Sequence, residues 1–414
     1  GFGNNFASEA LPGVLPVGQN SPQHVKYGLY AEQLTGTSFV ETPRAKNRRT
    51  WMYRIRPAVV HQGFKKLPTN PDLEANFSTL NPKVYVSPTQ LAWRPFPIPD
   101  STGEKRVDFV DGLKTIATVH SDTFMCGHAT KLYSNMFNCS MGERAFVSTD
   151  GHLLIVPQLG TLIVQTELGK MSVPNGMICV VPRGIRFKVL LSEGTTTGRG
   201  YIFESFGSGF ELPELGPLGH SGLALERDFE YPIASFEGRS DYGQKEWEIV
   251  YKVQGELHSC RQSHTPFDVV AWHGNYAPFR YDLSRFVNVG SISVDHIDPS
   301  IFCVLTCPSA SGGKPLADFL IFSPRWDVAN HTYRPPYYHR NCASEVMGLI
   351  RGAYGGRSDG FQPGGQFVYL SSSFCCTLGL DSHYKKFNVC RTDFKNDFNT
   401  KIRSHISKLI SLQK

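Results

Sequence analysis

The sequence predicts a mainly β protein, with a β-rich N-terminal region followed by a shorter second β module. Gly (39 residues) and Pro (27) are frequent and punctuate short apolar runs, the pattern of strands joined by turns. Helical periodicity is scarce along the chain. Forty per cent hydrophobic against 19% charged residues marks an ordinary globular chain rather than a disordered one. At 414 residues there is length for one large core or two modest ones.

Taken in order, residues 1 to about 110 are rich in Pro, Asn and aromatics. Short extended pieces such as RTWMYRIRP (Arg49 to Pro57) read as irregular structure laid over a β core. Between 145 and 210 the strands are plainer. LLIV (Leu153 to Val156), TLIVQTE (Thr161 to Glu167), MICVV (Met177 to Val181) and IRFKVLL (Ile185 to Leu191) are separated by Gly, Pro and Asn turns. Within them, GMICVVPRGIRF (Gly176 to Phe187) resembles the second conserved motif of cupin barrels: Gly, five residues, Pro, one, Gly, two, then a metal-binding His. Phe187 fills the His slot, so the expectation is a cupin-like barrel with an apolar interior where a metal would sit. Apolar strands resume in FCVLTC (Phe302 to Cys307) and LADFLIF (Leu316 to Phe322). Near the C-terminus Ile402, Ile406, Leu409 and Ile410 fall at helical spacing among Lys and Arg, which reads as a solvated surface helix.

Charge and composition exclude several function classes. Residues 366–414 hold eight Lys or Arg against three Asp, a net +5, leaving 34 basic and 33 acidic residues in the first 365. The body is balanced, so no nucleic-acid partner is expected. No run approaches 18 apolar residues, and the N-terminus has neither a basic start nor an unbroken apolar core. Neither a membrane span nor a secretory leader is expected. The ten cysteines are scattered without zinc spacing, which suits free thiols in a reducing cytoplasm.

The stretch YRPPYYHRNCASEVMGLIRG (Tyr333 to Gly352) carries the chemistry. His339 and Glu345 are six residues apart, and on a strand an even offset puts both side chains on one face. On a helix they would diverge by about 120°, and Pro335 and Pro336 argue against a helix running into His339. One imidazole nitrogen and one carboxylate oxygen, with a second histidine, make the facial triad that holds non-haem Fe(II) and leaves positions open for substrate and O2. Spacing alone also fits a surface glutamate beside a hydrogen-bonded histidine.

Longer stretches go beyond a motif. RPPYYHRNCASEVMGLIRG (Arg334 to Gly352), VVAWHGNY (Val269 to Tyr276), DPSIF (Asp298 to Phe302), LYAEQLTG (Leu29 to Gly36) and the opening GFGN together resemble the homogentisate 1,2-dioxygenase family, over residues 1 to about 365. The resemblance implies a cytosolic, Fe(II)-dependent enzyme that opens homogentisate with O2 to maleylacetoacetate, in phenylalanine and tyrosine breakdown. It also implies a homo-oligomer, trimers that pair into hexamers. The domains it suggests are a β-rich unit over 1–285, a cupin-like catalytic domain over 286–365 and a divergent basic tail over 366–414. By the same resemblance His339 and Glu345 fall on two of three iron ligands, His296 on the catalytic base and Tyr354 on a substrate-contacting tyrosine. On chemistry alone, Asp295 or Asp298 is placed either to orient the His296 imidazole or to form the turn of its loop. His273, in AWHGNY, reads as structural.

The chain departs from the family after Pro363–Gly365. A second ligating histidine should follow there, yet the next histidine is His383, so the cupin-like catalytic domain reads as incomplete. Cys375 stands at about the family's distance beyond the glutamate, but a thiolate is a soft ligand for such a site. His383 lies in LDSHYKKF (Leu380 to Phe387), which faintly resembles the family's C-terminal end. A chain short of one ligand is expected to bind iron weakly. The alternative function is therefore an oligomer subunit without catalysis.

Overall fold

The computed structural model describes residues 6–17, 25–39, 44–77, 80–85, 89, 91–120, 129–216, 223–238, 245–287, 299–309, 315–323, 344–353 and 361–369. The N-terminal strands are β1 (Phe6–Glu9), β2 (Tyr30–Thr35), β3 (Arg49–Arg54), β4 (Lys65–Lys66) and β5 (Leu91–Trp93). Then follow β6 (Leu113–His120), β7 (Ala129–Phe137), β8 (Arg144–Ser148), β9 (His152–Leu159), β10 (Leu162–Thr166), β11 (Gly169–Val173), β12 (Met177–Val181), β13 (Phe187–Leu191) and β14 (Gly198–Phe206). The third group is β15 (Phe229–Glu230), β16 (Trp247–Val253), β17 (Glu256–Gln262), β18 (Val269–Gly274) and β19 (Phe279–Asp282). The last is β20 (Cys303–Pro308), β21 (Pro315–Leu320), β22 (Glu345–Gly348) and β23 (Gln366–Tyr369). Helical structure among the described residues is limited to short 3-10 turns. No described helix is long and apolar enough to cross a membrane. The helix expected over 402–410 lies outside the described residues.

Two seven-stranded sheets form the centre. One runs β11-β10-β13-β8-β16-β17-β4, the other β15-β19-β12-β9-β14-β7-β6. Phe146, Leu162, Val164, Phe187 and Val250 from the first share one buried cluster with Tyr133, Leu153, Ile155, Val181 and Ile202 from the second. Phe187 is fully buried and meets Phe109 and Phe146 edge-on, at 5.9 and 5.6 Å between ring centroids. That is the apolar interior expected at the cupin His position. Among the described residues the expected barrel is not closed: the two sheets end at the edge strands β11 and β4, and β15 and β6. The edge strands β4 and β15 are only two residues long, too short to carry hydrogen bonding around a corner.

Buried charge braces this sandwich. Arg54 on β3 is fully buried and reaches Glu32, Glu167 and Asp268 at 2.9, 2.9 and 2.8 Å. Burial alone would lower its pKa; the three carboxylates outweigh that and raise it. The pair Val269–Gly274 and Arg49–Arg54 belongs to a third sheet, β1-β18-β3-β2, so Arg54 ties that sheet to the Glu167 turn of the sandwich. Elsewhere, Glu204 on β14 accepts from Tyr133 Oη (2.5 Å) and Ser148 Oγ (2.7 Å) and pairs with Lys252 at 2.9 Å.

The last four strands lean on the outer face of the second sheet. Strand β9 shows why: Leu153 and Ile155 point into the sandwich, while Leu154 and Val156 join an outer cluster. A strand buried on both faces reads as an unbroken apolar run. The outer cluster joins Leu154, Val156, Ile178, Val180, Tyr201 and Tyr281 to Val304, Leu305, Ile321 and Ile350. Each such aliphatic burial contributes roughly 1.5–3 kcal/mol, more than a two-stranded hairpin supplies for itself. The three-stranded sheet β22-β23-β5 takes its edge from residues 91–93, so the N-terminal part of the chain completes the C-terminal sheet.

Candidate metal centre

Of the residues singled out in the sequence, Glu345 is described, and His296, His339 and Tyr354 lie outside the described residues. So do Asp295, Asp298, Cys375 and His383. Among the described residues no cluster of three or more His, Cys, Asp or Glu is placed to hold a metal. Glu345 opens β22, with Ser344 outside the ladder. β22 begins at the glutamate, and the expected shared strand face with His339 falls on residues outside those described.

Glu345 sits opposite Tyr369, and Met347 opposite Phe367. Alternation along β22 puts Glu345 on the face of Met347, which is buried with Leu349, Phe361 and Phe367. Val346, on the other face, is exposed. The carboxylate is half-buried at the rim of a small apolar cluster. A carboxylate oxygen at such a rim is a hard donor, of the kind that suits a divalent iron ion.

The strand pair under Glu345 is fastened to the sandwich by three side chains that sequence reasoning missed. Tyr201 on β14 directs its hydroxyl at two carbonyls, Leu349 O at 3.1 Å and Gly365 O at 2.9 Å. Burial pushes its pKa well above the usual tyrosine range, so the donor proton stays in place. Gln158 on β9 donates to Ile350 O at 3.0 Å. Arg199 donates to Gln158 Oε1 at 2.8 Å and to Pro363 O at 3.4 Å. From the other side, Gln366 donates to Ser134 Oγ at 2.8 Å.

The Pro363–Gly365 turn follows from this contact. Gly364 has φ +90°, and a Cβ there would lie 2.6 Å from the Arg199 guanidinium. Gly348 faces the Tyr201 ring, which a Cβ would approach to 2.7 Å. Both glycines let backbone lie directly on the sandwich. Adjacent glycines next to a strand were the one signal in the sequence that something packs closely there.

His273 is buried on β18, its Nε2 at 3.4 Å from Tyr53 Oη, in keeping with a structural role. His152, on β9, is also buried; burial, then the Arg183 charge, lowers its pKa to about 4.

The comparisons with known proteins agree over residues 1–387. The family model for the homogentisate 1,2-dioxygenase N-terminal region matches residues 1–283, and that for the C-terminal region matches 284–387. The second match continues past Gly365, where the sequence resemblance breaks, and takes in Leu380–Phe387. A homogentisate 1,2-dioxygenase of Arabidopsis thaliana is 50% identical over 370 residues, 89% of this chain and 77% of that protein. One of Drosophila melanogaster is 50% identical over 371 residues, 89% of this chain and 81% of that protein. Likeness to solved structures is slight. A cupin domain from Bordetella pertussis aligns at TM-score 0.18 and 16% identity, over 26% of this chain and all of that one. With both family models matched and half the residues identical to such relatives, this chain belongs to the homogentisate 1,2-dioxygenase family.

Proposed function

We propose that the chain is a ring-cleaving dioxygenase that opens homogentisate with O2 to maleylacetoacetate, at an Fe(II) ion held by His339 and Glu345. The observation that carries this reading is Glu345, a half-buried carboxylate on the inner face of β22, within a stretch that resembles the family almost residue by residue. Fe(II), when bound, supplies the electronic route by which triplet O2 reacts with a closed-shell ring. The remaining roles belong to the chain. Glu345 offers a carboxylate oxygen from the first residue of β22, which pairs there with Tyr369 of β23. His296 accepts the phenol proton on an imidazole nitrogen, work suited to a base of near-neutral pKa. Tyr354 contacts the substrate. The same reading gives a cytoplasmic homo-oligomer, trimers that pair into hexamers. Buried free thiols at Cys139, Cys179, Cys260, Cys303 and Cys307 suit that reducing compartment.

A second reading rests on one observation, that the next histidine after Gly365 is His383. It makes the chain an iron-poor subunit without turnover. Oxygen uptake with homogentisate, in the presence of added Fe(II) and ascorbate, separates the two. Turnover abolished by Glu345→Ala supports the enzyme. Folded protein without turnover supports the subunit. Turnover lost in His383→Ala but kept in Cys375→Ala identifies the third ligand.

A further inference from the structure

We propose that Tyr201 is a positioning residue that pins the register of the strand pair carrying Glu345. The proposal rests on the metal role given above to that glutamate. Register matters here more than in the sandwich, because β22 and β23 are each four residues long. A slip of one residue would turn Glu345 from the inner face of Met347 to the outer face of Val346. Ladder bonds in so short a pair resist a slip weakly.

The Tyr201 hydroxyl reads both strands at once. One proton is shared between Leu349 O, just beyond β22, and Gly365 O, just before β23. The same two residues bond each other, Leu349 N to Gly365 O at 3.3 Å, and Gly364 N donates to Leu349 O at 2.8 Å. A slip of one residue moves one carbonyl by about 3.3 Å relative to the other, beyond the reach of a single hydroxyl. Arg199 and Gln158 hold the flanking carbonyls of Pro363 and Ile350, so the hydroxyl has a fixed origin on the sandwich. Glu345 lies four residues from Leu349, which is roughly 13 Å along an extended strand. Tyr201 therefore acts through the backbone and touches no reacting atom.

The test compares Tyr201→Phe with Tyr133→Phe. Each removes one buried hydroxyl from the same sheet, but Tyr133 faces the sandwich interior and bonds Glu204. In metal-free protein, hydrogen exchange of the amides over 345–349 and 366–368 should be about tenfold faster in Tyr201→Phe and unchanged in Tyr133→Phe. The Fe(II) dissociation constant should rise about tenfold in Tyr201→Phe alone, the low end of what loss of a group supporting a metal ligand costs. Wild-type iron affinity in Tyr201→Phe, or an equal loss in Tyr133→Phe, would overturn the proposal. Wild-type protein that takes up no Fe(II) would overturn the metal role of Glu345; faster exchange confined to Tyr201→Phe in that same protein would still support the register pin.

Discussion

In the sandwich, Phe187 is enclosed by Phe109 and Phe146 within a cluster drawn from both large sheets. In β22-β23-β5 the corresponding cluster is four side chains, Met347, Leu349, Phe361 and Phe367. The first holds its shape through its own interior and a buried charge lattice. The second takes shape from Tyr201, Arg199 and Gln158 on its neighbour and from an edge strand at residues 91–93. The difference separates stability from chemistry. The larger unit supplies rigidity, and the smaller one carries the carboxylate read as an iron ligand.

The sharpest break should come from Glu345→Ala. It is expected to abolish iron uptake, with little change in the far-UV circular dichroism spectrum. Stoichiometric iron in that variant would remove Glu345 from the site. Next is His296→Gln, expected to lower turnover by roughly 10² to 10⁴ with iron content kept. Iron analysis beside steady-state oxygen uptake decides it: parallel loss of both would make His296 a ligand or a structural residue.

On the sandwich side, Arg54→Met strands Glu32, Glu167 and Asp268 without their shared cation. Removing one partner of a buried ion pair costs about 3–5 kcal/mol, to be read from urea unfolding. A loss below about 1 kcal/mol would mean that the network is not what braces the N-terminal sheet. Smaller still is a pH effect. His152 titrates near 4 when folded and near 6.5 in an unfolded chain. The unfolded chain then binds more protons between those values, so stability is full above pH 6.5 and falls as pH drops towards 4. The contribution is on the order of 3 kcal/mol. Wild-type stability minus that of His152→Gln should therefore fall from pH 7 to 4; a constant difference would refute it.

The runs at 153–156, 177–181 and 303–307 were legible because they are apolar and followed by a proline, although β9 continues through Pro157 to Leu159 and β20 includes Pro308. Strands β7, β14 and β16 were not. Lys131, Ser134, Glu204, Ser205 and Lys252 are buried in them, and buried polar residues that satisfy one another across a fold erase the alternation a single sequence displays. Of the proposed site, the sequence offers His339 and Glu345 by type and spacing, and of the two only Glu345 lies among the described residues. The fastening was not legible, since Tyr201 acts on carbonyls 148 and 164 positions away, and carbonyls carry no sequence signature.

The pairing of Trp93 with Gln366 has a consequence in time. On a ribosome the sandwich segments emerge before β23 exists, while β5 waits with an unmatched edge. At about 5–20 residues per second the wait over some 270 residues is roughly 15–55 s. During it, Leu91 to Trp93 are a short strand without a partner, open to pairing with a neighbouring nascent chain. The sheet that carries Glu345 is thus among the last parts to close, and slowing translation late in the message would lengthen the interval in which it is absent.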